Sequence, residues 1–205
     1  MHSAFLLFEK NINAARESGV CYDYLSSSIK VADSFEDLLR SQIVYSVSAF
    51  DKLMHDLVHI GMMEIFKGER PATPKYLAEP IPIKFHKSIL EESIFPKEVI
   101  FAQAINEKLK FLSFQDPAKV SDGLSYIWME KNKWKFICVS MNISEKDAKT
   151  TLKLIVNKRN SIVHESDINP ATKEKIVINK NESDEITDFV FECGRSIYNL
   201  VAIKM

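Results

Sequence analysis

The chain has 205 residues, of which 46% are hydrophobic and 27% charged, and its formal net charge is −1. This is the balance of a globular chain with one sizeable core, not of a disordered one. It also excludes a broad basic face, so any contact with nucleic acid must be local, through clustered Lys and Arg.

The apolar periodicity predicts helices and little else. A first helix is expected over residues 2–17, stopped by Gly19, with the serines 26–28 as a link. Ser34, with Asp37 three residues on, suits the N-cap of a second helix that runs to about Gly68. Ile43, Val47, Phe50, Met54 and Leu57 recur along it at spacings of three and four, which is a core-facing stripe. The segment "ERPATPKYLAEPIPIKF" holds four prolines and predicts an extended connection at about 69–83. Helical pattern returns from Lys84 to Ser93, then from Pro96, then over 118–139 with Trp128 and Trp134. "SEKD" (Ser144 to Asp147) resembles a capping box and opens a helix that reaches Val163. After a polar, turn-rich stretch, a last helix is expected from Ser183 to Ile203. The expectation is a single domain over 1–205, since no repeat or composition break divides the chain.

Cys21, Cys138 and Cys193 are scattered and form no CxxC pair. A disulfide framework is therefore not expected, and a cytoplasmic location is. No apolar run reaches membrane-spanning length. "AFLLF" near the start is too short for the apolar part of a secretion signal.

Four groups of residues bear on chemistry. His55 and His59 lie four apart on one helical face and resemble half of a zinc motif, but Asp56 stands where a glutamate is wanted. A polar helix face is the plainer reading, and no metal or other cofactor is expected. Lys131, Lys133, Trp134 and Lys135 interleave charge with an aromatic ring, the pairing that supports a nucleic-acid strand. The plainer reading there is a solvated helix face around a buried tryptophan. Asp51 and His55 are also four apart, and a carboxylate in that position fixes a histidine's tautomer; a surface pair does equally well.

The fourth group is in "LIVNKRNSIVHESDINP", where Arg159 and Asn160 are followed by His164. A cation late in a helix suits the negative end of the dipole, which is the plain account of Arg159. Arginine also binds phosphate in a fork, and histidine moves protons near neutral pH. Together they suffice for cutting RNA, where the substrate supplies its own 2′-hydroxyl nucleophile. Five residues along an ideal helix turn through about 500°, so the two side chains diverge by some 140°. Loosening of the helix end, or a second copy of the chain, would be needed to bring them together.

"RNSIVH" is similar to the R-N-x-x-x-H form of the Arg–His signature of HEPN domains. "LLRSQIVYSVSAFDKLMHDLV" (Leu38 to Val58) resembles the long early helix of the RiboL-PSP group of that superfamily, with Asp51 as its embedded acidic residue. The likeness covers the early helix and the last third well and residues 70–140 loosely. It implies an all-α HEPN-like bundle with the motif near the end of a late helix. It further implies a metal-independent endoribonuclease that works as a homodimer, as in toxin–antitoxin and phage-defence systems, with RNA as substrate and an antitoxin protein as a partner. Arg159 and His164 would be catalytic and Asn160 orienting, with Asp51 and His55 in support. Some relatives have lost activity, so a non-catalytic helical dimer that binds RNA or a partner protein is the alternative.

Overall fold

The protein is described by a computed structural model covering residues 1–29, 35–91 and 95–203. Among the described residues it is all-α, with one isolated antiparallel bridge between Ile168 and Lys175. The helices are α1 (His2–Ser28), α2 (Glu36–Phe66), α3 (Pro74–Leu77), α4 (Ile83–Leu90), α5 (Lys97–Leu109), α6 (Pro117–Leu124), α7 (Lys133–Met141), α8 (Glu145–Glu165) and α9 (Lys180–Val201).

The long α2 is the axis. It packs against α1, α5, α6, α8 and α9. All five of its stripe residues named above are buried. The main core joins four of them, Val47, Phe50, Met54 and Leu57, to Phe8 and Ile12 of α1, Phe101 of α5, Leu152 of α8, and Val190 and Ile197 of α9. No helix of the described residues is long and apolar enough to cross a membrane.

Three expectations are corrected. Gly19 does not stop α1, which continues to Ser28. The glycine is buried, and a Cβ there would lie 2.3 Å from Gln42 Oε1 and 2.8 Å from Lys180 Cε. It is small because α1 comes close to α2 and α9 at that point. The helix expected over 118–139 is two helices, α6 and α7, with turns between them. Thr73 ties that break down by donating to the carbonyls of Ser125 and Tyr126. The proline-rich connection is not extended throughout, because Thr73 caps α3 with Pro74 at its first position. The Ser34 cap and the Ser93 helix end lie outside the described residues. Ser144 does cap α8: its Oγ accepts from the Asp147 N–H at 3.1 Å and donates to the Asp147 carboxylate at 2.7 Å.

Beyond α8 the chain turns sharply through Ser166 and Asp167, both in the left-handed region at φ 57° and 55°. Asp167 is fully buried. Its carboxylate accepts from Arg40 Nε of α2 at 3.0 Å and from Lys158 Nζ of α8 at 3.2 Å. Arg40 is itself 5% exposed and also donates to the Ile176 carbonyl. This buried pairing pins the end of α8, and the loop after it, to the start of α2. Nearby, Ile162 and Ile178 pack on Leu39 and Ile43 in a second small core.

Asp167→Ala would leave Arg40 a buried cation with one strong partner fewer, so a loss of about 3–5 kcal/mol is expected in urea unfolding. Adding Arg40→Leu to Asp167→Ala should recover part of that loss, since the unpaired buried guanidinium goes too and only the partly exposed Lys158 is left without its carboxylate. Thiol reactivity checks the packing independently. Cys138 and Cys193 are buried, and burial pushes both thiols up, whereas Cys21 is exposed. A thiol reagent should therefore modify Cys21 quickly in the folded protein and reach the other two only on unfolding.

Candidate functional site

The motif occupies the last turns of α8, which remains helical through Glu165. The left-handed residues come only after His164, so the helix does not loosen within the motif. Arg159 stands in line with Ala148, Leu152 and Ile155, the buried residues of α8, at spacings of four, three and four. It is half-buried at the edge of the core-facing stripe. Its Nη1 donates to Asn160 Oδ1 at 3.0 Å, and its buried Nε has no partner among the described residues. His164 is exposed and has no polar partner there either. Asn160 and His164 are one turn apart, about 40° around the helix, on the solvent side. The structure thus brings Arg159 and Asn160 together and leaves His164 on the adjoining face.

Each apolar neighbour of the motif has a different fate. Ile155 is in the main core, Ile162 is half-buried in the second core, and Val163 is 45% exposed. Leu154 is 63% exposed but lies nine residues before Val163, half a turn around the helix from it.

Asp51 is not bonded to the motif. Its carboxylate accepts from the Phe114 backbone N–H at 2.6 Å and from Gln115 Nε2 at 3.1 Å. It therefore anchors the chain entering α6, and within one chain its support of the motif is not by a direct bond. His55 lies 3.9 Å from Asp51 and meets the Phe114 ring edge-on, with ring centroids 4.7 Å apart. The Nε2 of His59 is buried with no partner among the described residues, and burial lowers its pKa against the pull of Asp56. Among the described residues, no three His, Cys, Asp or Glu side chains are grouped to hold a metal ion.

The Lys131–Lys135 segment is corrected in part. Trp134 is 3% exposed and donates its indole N–H to the Pro117 carbonyl at 2.9 Å, so no base can stack on it. Lys133 is buried, donating to the Glu130 carbonyl, and desolvation lowers its pKa. Lys131 and Lys135 remain exposed.

Arg40, Lys158 and Asp167 were not singled out in the sequence. A signal existed: Arg40 and Gln42 interrupt an apolar stripe, and a buried polar side chain demands a partner elsewhere. Gln42 finds its partners on α9, at Asp184 (2.9 Å) and Thr187 (3.1 Å). A cavity of about 480 Å³ between the proline-rich segment and α5 is larger than the cleft beside the motif, but none of its lining residues is on α8.

Comparison with curated proteins and with solved structures gave no match. The family model described as RiboL-PSP-HEPN matches residues 9–202, from early α1 to the end of α9. The motif helix, the long α2 and the all-helical core fall within that span, and the chain belongs to the RiboL-PSP-HEPN family.

Proposed function

We propose that the chain, acting as a single domain, is a metal-independent endoribonuclease whose working form is a homodimer. The observation that carries this reading is the motif on α8. Arg159 is braced by Asn160 and keeps guanidinium donors free, while His164 is exposed one helical turn beyond Asn160. Family membership supports it.

In this mechanism the substrate's 2′-oxygen attacks the adjacent phosphorus. A 2′-O–P bond forms and the P–O5′ bond breaks. The proton lost by the 2′-hydroxyl is balanced by one gained by the departing 5′-oxygen. His164 handles that proton traffic, and Arg159 stabilises the charge that builds on the phosphoryl oxygens. Asn160 keeps the guanidinium plane from rotating. The reaction needs no water and leaves a 2′,3′-cyclic phosphate and a 5′-hydroxyl.

The dimer follows from the divergence of the two side chains. A regular helix through Glu165 does not aim Arg159 and His164 at one phosphate. A two-fold axis beside α8 would set each motif against its copy, because such an interface is self-complementary. Val163, exposed next to His164, suits that contact. A role as a toxin or phage-defence effector, with an antitoxin to restrain it, is the biological setting this chemistry fits.

RNA incubated with the protein in EDTA should be cut, with the two end groups named above on mapping. His164→Ala should slow cutting by about a hundredfold or more, the usual scale for an acid–base residue. A folded His164→Ala protein with full activity would remove the site. Activity lost in EDTA and restored by zinc would favour His55 and His59 instead. Light scattering at micromolar concentration should give twice the chain mass.

A further inference from the structure

Tyr45 has no part in the chemistry above, yet it stands beside the motif. It lies on α2, its side chain is 57% exposed, and it has no polar partner among the described residues. Two depressions meet at it. One is a cleft of about 410 Å³ between α2 and the end of α8, walled by Val44 and Ile162. The other is a groove of about 360 Å³ between α1 and α2, floored by Ala14, Ala15 and Ala49. Tyr45 lines both, so it forms a ridge with space on either side.

The first cleft leads on from the motif. Ile162 follows Arg159 by three residues along one face of α8, and it lines the cleft together with Ser166, just past the helix end. Its charges are already spent on one another. Lys175 binds both Asp37 oxygens at 2.7 Å, and Arg40 is held by Asp167. A phosphate would find no spare positive field there. A neutral, flat group would find an aromatic ring, two aliphatic walls and a polar edge. That edge keeps hydrogen-bonding capacity within the neutral pair, the third N–H of Lys175 and the second lone pair of Asp37 Oδ2, and adds the Ser41 hydroxyl oxygen as an acceptor. Those are the requirements of a nucleobase, whose faces stack and whose edge both gives and accepts hydrogen bonds.

We propose that Tyr45 is the base-stacking residue of this site. The nucleobase beside the scissile phosphate lies on its ring in the α2–α8 cleft, with the base edge toward Asp37 and Lys175. This rests on the RNA-cleaving reading above and extends it to how the strand is held. Stacking of this kind positions single-stranded RNA and tolerates several bases, so the preference it creates is for an unpaired nucleotide.

The test uses the full-length His164→Ala protein, so that bound RNA stays whole, and a short fluorescent single-stranded RNA read by anisotropy. Adding Tyr45→Ala should weaken binding about tenfold, and Tyr45→Phe should change it little, because stacking needs the ring and not the hydroxyl. An abasic nucleotide moved along the RNA should weaken binding at one position, and that penalty should vanish in the Tyr45→Ala protein. Equal binding by the alanine variant, or an abasic penalty that survives in it, overturns the assignment while leaving the cleavage reading intact. A change in mass by light scattering on Tyr45→Ala would place the ring between chains and also overturn it. Absence of RNA binding by every one of these proteins, together with an inactive wild type, would instead bring down the RNA reading as a whole.

Discussion

The buried pairing of Asp167 with Arg40 and Lys158 is the constraint on which the arrangement of the motif depends. α8 ends next to solvent, and a helix end held only by its own hydrogen bonds frays. Here the residue two places beyond the helix is fully buried, and its carboxylate is shared between a cation of α2 and one of α8. Placing an unpaired carboxylate at that depth would be costly, so the two cations and the left-handed turn that delivers Asp167 belong together. The effect is to fix the last turn of α8 relative to the most buried helix of the protein. A site that must hold a phosphate and a proton donor in register gains from that rigidity.

Rigidity has a geometric consequence. Because α8 is regular up to Glu165, Arg159 stays at the edge of the core-facing stripe and His164 on the solvent face. One side chain is set by packing and by Asn160, and the other is left to meet something outside the chain. His164, exposed and without a polar partner among the described residues, lies next to the exposed Val163, and this is the surface that the proposed dimer would cover. In the proposed dimer a second copy of the same surface would supply both the cover and a second Arg–His pair. The same fixed helix end also shapes the cleft that Tyr45 overlooks.

Much of the architecture was legible in the sequence because it follows from period and capping. The stripe from Ile43 to Leu57, the Ser144 cap and the last helix are local patterns, and they appear where the spacing puts them. What the sequence hid was decided by contacts between distant segments. Gly19 reads locally as a stop but serves a close approach by Gln42 and Lys180. The break between α6 and α7 is held by Thr73, some fifty residues earlier. For the site, Arg159, Asn160 and His164 were visible as a motif. Asp51 was correctly marked as an acidic residue in an apolar helix, but its partners at Phe114 and Gln115 are sixty-odd residues away and could not be read from spacing. At Trp134 the plainer of the two readings holds, a buried ring, and the contact that buries it, with Pro117, is again one that spacing does not show.

The central claim is that Arg159 and His164 act together across a two-chain interface. It is tested most directly by co-expressing Arg159→Ala with His164→Ala and isolating the mixed dimer. That dimer retains one arginine and one histidine, on opposite chains. If they cooperate across the interface, it cuts RNA faster than either mutant homodimer. A verified mixed dimer with no more activity than the two parents, or a wild-type monomer as active as the dimer, would contradict the account.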